Sequence, residues 1–129
     1  MKISDLVVSM ADVEEEKLAK LLQVYVKYTE SAEVLFLKSF KELRDKHKVL
    51  VYLAARLGLK FLNSDGNVGI TGKKIHENLN MSYSSVRVYL HQLRSEGLVV
   101  VNEQTKEYKI ASQGVLDMED MLKEVNLHE

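Results

Sequence analysis

The sequence predicts a mainly α fold that carries one small β-hairpin. Three observations predict it. Apolar residues recur at helical spacing, as at Leu18, Leu21, Leu22, Tyr25 and Tyr28. The stretch "LHQLRSEGLVVV", Leu90 to Val101, passes from a helical pattern through a glycine stop into an apolar strand. Two β-prone runs, "LVVV" and "YKIA", are separated only by the polar "NEQTKE".

In chain order, the first helix begins near Asp12, a capping residue, with Glu14, Glu15 and Glu16 in its first turn where the helix dipole favours carboxylates. Its apolar face runs through Tyr28. Thr29 to Ser31 reads as a break, and Ser31 as the cap of a second helix, "AEVLFLKSFKEL". Val34, Leu35, Phe36, Leu37, Phe40 and Leu43 cover more than one face of that helix, which therefore calls for burial on two sides. In a chain of this size the second side is expected to be another subunit. Asp45 caps a third helix with a core stripe of Val49, Leu50, Leu53 and Leu57, ending in the turn signals Asp65-Gly66 and Asn67.

"VGIT" is short and β-prone. Thr71 caps "GKKIHENL", which buries Ile75 and Leu79, and Ser82 caps the helix that follows. With Val86 at zero and about 100° per residue, Leu90, Leu93 and Gly97 form the buried stripe of that helix and Tyr89 its margin. Ser84, Arg87, Val88, His91 and Ser95 fall on the opposite half, with Arg94 at its edge, and no carboxylate lies among them. Gly97 suits a positive φ beyond the cap, and Leu98 folds back toward Leu93. The hairpin puts Tyr108 and Ile110 on one face. The last helix, "SQGVLDMEDMLKEV", turns Val115, Met118, Leu122 and Val125 toward a neighbour.

Composition bounds the function. The 129 residues are 46% apolar and 29% charged, enough for one core. With no cysteine there are no disulfides, thiol nucleophiles or thiolate metal sites. No run of about 18 apolar residues spans a bilayer, and the start lacks a secretory pattern, so a cytoplasmic protein is expected. The net charge of −1 is unevenly spread: residues 41–61 carry six basic and two acidic side chains, whereas residues 110–129 carry one basic and five acidic. Such separation gives a local cationic surface on a nearly neutral protein. His47, His76, His91 and His128 show no ligand spacing, and no phosphate loop, dinucleotide fingerprint or activated serine is present. Neither an enzyme nor a cofactor nor a metal is expected.

The segments "ITGKKIHENLNMSYSSVRVYLHQLRSEGLVVV" and "EYKIASQG" resemble winged helix-turn-helix DNA-binding domains, most closely regulators of the MarR, ArsR and PadR type, archaeal ones included. In that family a small polar run opens the recognition helix, a Leu-x-x-Leu ridge packs it, and Glu-Gly-Leu-Val ends it. Ile110 and Ala111 depart mildly from the usual second wing strand. The resemblance implies a winged helix-turn-helix domain over residues 45–129, including a C-terminal helix, preceded by an N-terminal helical extension over residues 1–44. It implies that the helix from Ser82 enters a major groove, with Tyr83, Ser84, Ser85, Arg87, Val88 and His91 toward the bases and Arg87 suited to guanine. Lys73 and Lys74, Lys106 on the wing, and more weakly Arg94 and Arg56 would meet phosphate.

The expected partners are double-stranded DNA and a second copy of the chain, with no membrane; the identity of any small-molecule effector is not readable. The homodimer is expected to form through the N-terminal helices, at Leu18, Leu21, Leu22, Tyr25, Tyr28, Phe36 and Phe40, with the C-terminal helix as the other candidate. The expected function is sequence-specific DNA binding by a transcriptional regulator. One alternative is a winged-helix module for protein–protein assembly, which the two glutamates of "NEQTKE" favour. Another is an architectural or segregation role on DNA.

Overall fold

The structure, a computed structural model, describes residues 10–62 and 68–127. Among them it is mostly helical, with small antiparallel β elements. The order is α1 (Met10–Leu22), β1 (Val26–Tyr28), β2 (Val34–Phe36), α2 (Lys38–Lys41), α3 (Asp45–Leu62), β3 (Ile70–Thr71), α4 (Gly72–Leu79), α5 (Tyr83–Ser95), β4 (Val99–Asn102), β5 (Glu107–Ile110) and α6 (Ser112–Leu127). The turn expected at Asp65 to Asn67, and His128, lie outside the described residues, as do the side chains of Asp12, Glu14 and Val125.

α3 is the central strut. Val49, Leu50, Val51, Tyr52, Leu53, Ala54 and Ala55 are buried in succession, so the helix is covered on every side. α1, α5, α6 and β5 all pack on it. α6 also lies against α1 and buries Val115, Met118 and Leu122 as expected.

The N-terminal region differs from the expected pair of helices. α1 stops at Leu22, and "AEVLFLKSFKEL" is not one helix. β1 and β2 form a second hairpin, pairing Val26 with Phe36, Lys27 with Leu35 and Tyr28 with Val34. The register puts Lys27 and Leu35 outward together and the two flanking pairs inward. Residues 29–33 make the turn. Ser31 caps nothing; its hydroxyl meets that of Thr29, which also accepts the Glu33 amide. An apolar run as short as "VLF" fits a buried strand as well as a helix, and the turn and cross-strand partners decide it.

That hairpin consumes the residues expected at a dimer interface. Leu18, Leu22, Tyr25 and Phe40 are buried inside the protomer, and Leu21, Tyr28 and Phe36 are half-buried against the same core. Phe36 stacks on Phe40, with ring centroids 4.3 Å apart, and tilts toward Tyr52. Tyr28 donates its hydroxyl hydrogen to the Ala55 carbonyl at 2.7 Å. The face that seemed to need a second subunit is covered by α3 of the same chain.

The other sheet has the order β3-β5-β4, all antiparallel. β4 and β5 are the expected hairpin. β3 pairs Ile70 with Tyr108 and Thr71 with Glu107, which ties the start of α4 to the hairpin.

Candidate nucleic-acid interface

Both helices of the central pair begin at side-chain caps. Thr71 Oγ1 accepts the Lys74 amide at 3.3 Å and opens α4; Ser82 Oγ accepts the Ser85 amide at 3.2 Å and opens α5. Each such cap stabilises its helix by about 1 kcal/mol. Asn80, in the left-handed region at φ 57°, ends α4 and turns the chain. Gly72, at the start of α4, faces α5: a Cβ there would sit in ordinary contact, 3.5 Å from Leu90 and 3.7 Å from Tyr83.

The far end of α5 is closed by paired backbone bonds, from Leu98 N–H to the Leu93 carbonyl and from Gly97 N–H to the Arg94 carbonyl, each 3.0 Å. With Gly97 at φ 78°, this is the glycine stop expected from the sequence. Glu96 pairs with Lys46 of α3 at 2.5 Å and so anchors the same end. α5 is therefore fixed at both termini, and its buried stripe is Val86, Leu90 and Leu93.

What remains outward is Ser84, Arg87, Val88, His91, Arg94 and Ser95, all exposed. Val88 is 52% exposed, a large apolar side chain held in water. Arg87 lies over the Tyr83 ring, 5.9 Å from its centroid, and Tyr83 meets His76 edge-on. Neither Arg87 nor His91 has an ion-pair partner among the described residues. Ser85 is half-buried, and its hydroxyl receives a 2.7 Å hydrogen bond from Ser82, so it supports the cap.

The phosphate candidates divide into two groups. Lys73 and Lys74 are exposed in the first turn of α4, without ion pairs among the described residues. A helix start disfavours cations, and neither α4 nor α5 has an acid in its first turn. Both helix starts are therefore electropositive. Arg94 and Lys106, by contrast, are both engaged by Glu103, at 2.9 Å and 3.2 Å. The Lys106 hydrogen bond, then the charges of Lys106 and Arg94, hold the Glu103 carboxyl below its usual range. Arg56 is a structural residue: its guanidinium donates to the Val68 and Gly69 carbonyls at 3.2 and 3.3 Å, steadying the approach to β3.

Sequence reading passed over Glu103 as a site residue. Its role depends on β4 and β5 folding back beside the end of α5, which spacing alone does not reveal. Among the described residues no three His, Asp or Glu side chains converge as a metal site, and no helix is long and apolar enough to cross a membrane. No family model, curated protein or solved structure matches the chain.

Proposed function

We propose that the chain is a winged-helix protein that binds double-stranded DNA in a sequence-dependent manner, acts as a homodimer and serves as a transcriptional regulator rather than an enzyme. The observation that carries this reading is the outward face of α5: exposed, free of acid, and fixed at both ends by hydrogen-bonded caps. The strand order β3-β5-β4 around α4 and α5 supports a winged-helix arrangement. In the proposed complex α5 lies in the major groove. Arg87 leaves the Tyr83 ring for the N7 and O6 of guanine, Val88 meets a thymine methyl, and Lys73 and Lys74 hold a phosphate beside the α4 start.

The homodimer is proposed because one protomer offers few cations, and a two-fold doubles them over half-sites ~34 Å apart. The residues first expected at its interface are mostly buried. Among the described residues, the exposed apolar side chains outside α5 that remain to build it are Val24, Leu35, Leu62, Val100 and Leu116. Light scattering at micromolar concentration reads the mass directly, and a monomer there removes the dimer.

Fluorescence anisotropy with a random duplex at two salt concentrations tests the DNA reading. Binding is expected at low salt and falls steeply as salt rises. Arg87→Ala is expected to weaken binding to a selected site by ~1–3 kcal/mol and to leave thermal stability unchanged. An unaltered affinity in that variant, or no binding at low salt, defeats the reading.

A second reading, a winged-helix surface for protein assembly, is favoured by one observation: Glu103 pairs with Lys106 on the wing and with Arg94 at the end of α5. An architectural or segregation role keeps the same DNA contacts and differs in sequence preference.

A further inference from the structure

We propose that Glu103 is a built-in competitor for DNA phosphate: its carboxylate fills a two-cation site formed by Arg94 and Lys106, and a backbone phosphate displaces it when duplex binds. The inference rests on the DNA reading above. It assigns to the wing a site, an occupant in the free protein and a control on affinity.

The geometry is that of a bridge. Arg94 Nη2 lies 2.9 Å from one Glu103 oxygen, and Lys106 Nζ lies 3.2 Å from the other. Arg94 comes from the last turn of α5, whereas Lys106 and Glu103 belong to the turn between β4 and β5. A phosphodiester presents two charged oxygens in a similar fork, and Arg and Lys accept either anion. The three side chains are 53%, 71% and 63% exposed, so the exchange requires no repacking of the core. Exposed ion pairs are weak, whereas a cation placed on duplex phosphate gains from counterion release. Phosphate therefore wins at low salt, but against a competitor that is always present.

The turn holds this arrangement. Asn102 Oδ1 accepts the amides of Gln104 and Thr105, and the Lys106 amide donates to the Asn102 carbonyl at 2.7 Å. Lys106 sits at φ 60°, a backbone region where glycine or asparagine is less strained. A lysine is thus kept at a position that disfavours it, with its ammonium against Glu103.

Arg94, Lys106 and Glu103 together carry one net positive charge; removing the carboxylate leaves two. Glu103→Gln is therefore expected to bind random duplex about three- to tenfold more tightly at low salt, with a slope of log affinity against log salt steeper by about one. Glu30→Gln is the control. It changes net charge equally, at the exposed turn of the N-terminal hairpin, and is expected to leave affinity and slope unchanged.

Anisotropy titrations of the full chain and both variants over a salt series decide the matter, with thermal midpoints verifying that all three fold. If the wild type binds and Glu103→Gln matches it, the competitor is overturned and the DNA reading stands. Equal gains in the two variants reduce the effect to net charge and also overturn it. If neither wild type nor Glu103→Gln binds at low salt, both readings fall.

Discussion

Among the described residues two β-hairpins of similar size stand out, and they are tied together differently. In the N-terminal one, β1 and β2 turn Val26, Tyr28, Val34 and Phe36 onto α3, and the turn is tied by neutral groups, Thr29 and Ser31. In the β4–β5 hairpin, the wing of the proposed reading, Val99 and Ile110 are buried, and Glu103 in the turn lies between two cations, Lys106 of the same turn and Arg94 of α5. The first hairpin is mostly core. The second is anchored by core at its base and keeps charge at its tip. The difference teaches where to look for function: at the turn that carries exposed charge in addition to the Asn102 bonds that hold it, because such charge adds little to folding. If that division is right, changes in the first hairpin should move stability and leave DNA binding alone, and changes in the wing should do the reverse.

The largest expected effect is Phe40→Ala. Phe40 is 4% exposed and stacked on Phe36, which in turn tilts onto Tyr52 of α3, so it backs the contact between the N-terminal hairpin and α3. Truncating such an aromatic costs about 3–5 kcal/mol. Urea denaturation should show that loss. The folded fraction, measured at low temperature, should keep the wild-type salt slope on DNA. A stability loss under about 1 kcal/mol would mean that the hairpin contributes little to the core.

The two regions also differ in how legible they were. α4 and α5 could be placed because their signals are local and agree: Thr71 and Ser82 at the caps, Val86, Leu90 and Leu93 at helical spacing, and Gly97 at the stop. The same wheel identified the exposed face holding Arg87 and His91. The N-terminal hairpin was misread because its residues satisfy both periods, and the outcome is set by Tyr28 reaching Ala55 and Phe36 reaching Phe40. Neither contact is visible as spacing. β3 was legible as a strand, but its pairing to β5 was not. The bonds from Arg56 to the Val68 and Gly69 carbonyls are not legible either, because backbone acceptors have no letter in a sequence. Glu103 and Arg94 are joined only after β4 has turned back.

An intermediate effect concerns pH and the first hairpin alone. Burial pushes the Tyr28 hydroxyl up to about 12 from its ordinary value of 10.0. The folded state therefore holds this proton more tightly than the unfolded chain. The stability linked to Tyr28 is fully present below pH 10 and is lost as pH rises toward about 12. Tyr28→Phe should flatten this alkaline limb, leaving the part due to Tyr25, whose hydroxyl burial also raises. Thermal melts from pH 8 to 12 read the slope, and an identical limb in the variant would remove Tyr28 as its cause.

The smallest effect on stability is the sharpest test of the comparison, because the two turns share one strain. Ala32 sits at φ 64° and Lys106 at φ 60°, each in the left-handed region and neither a glycine. Asparagine tolerates that backbone better than either residue. Ala32→Asn and Lys106→Asn should therefore both raise stability slightly, by about 1 kcal/mol or less, as read by thermal midpoint. They should part company on DNA. Ala32→Asn leaves the cations of the wing and of the α4 start in place, so affinity and salt slope should stay at wild type. Lys106→Asn relieves the same strain but removes the cation that the proposed DNA reading places on phosphate, so on that reading affinity should fall and the slope should lessen by about 0.9. Matching DNA behaviour in the two variants would mean that Lys106 serves its turn and nothing else, and the functional distinction between the hairpins would collapse.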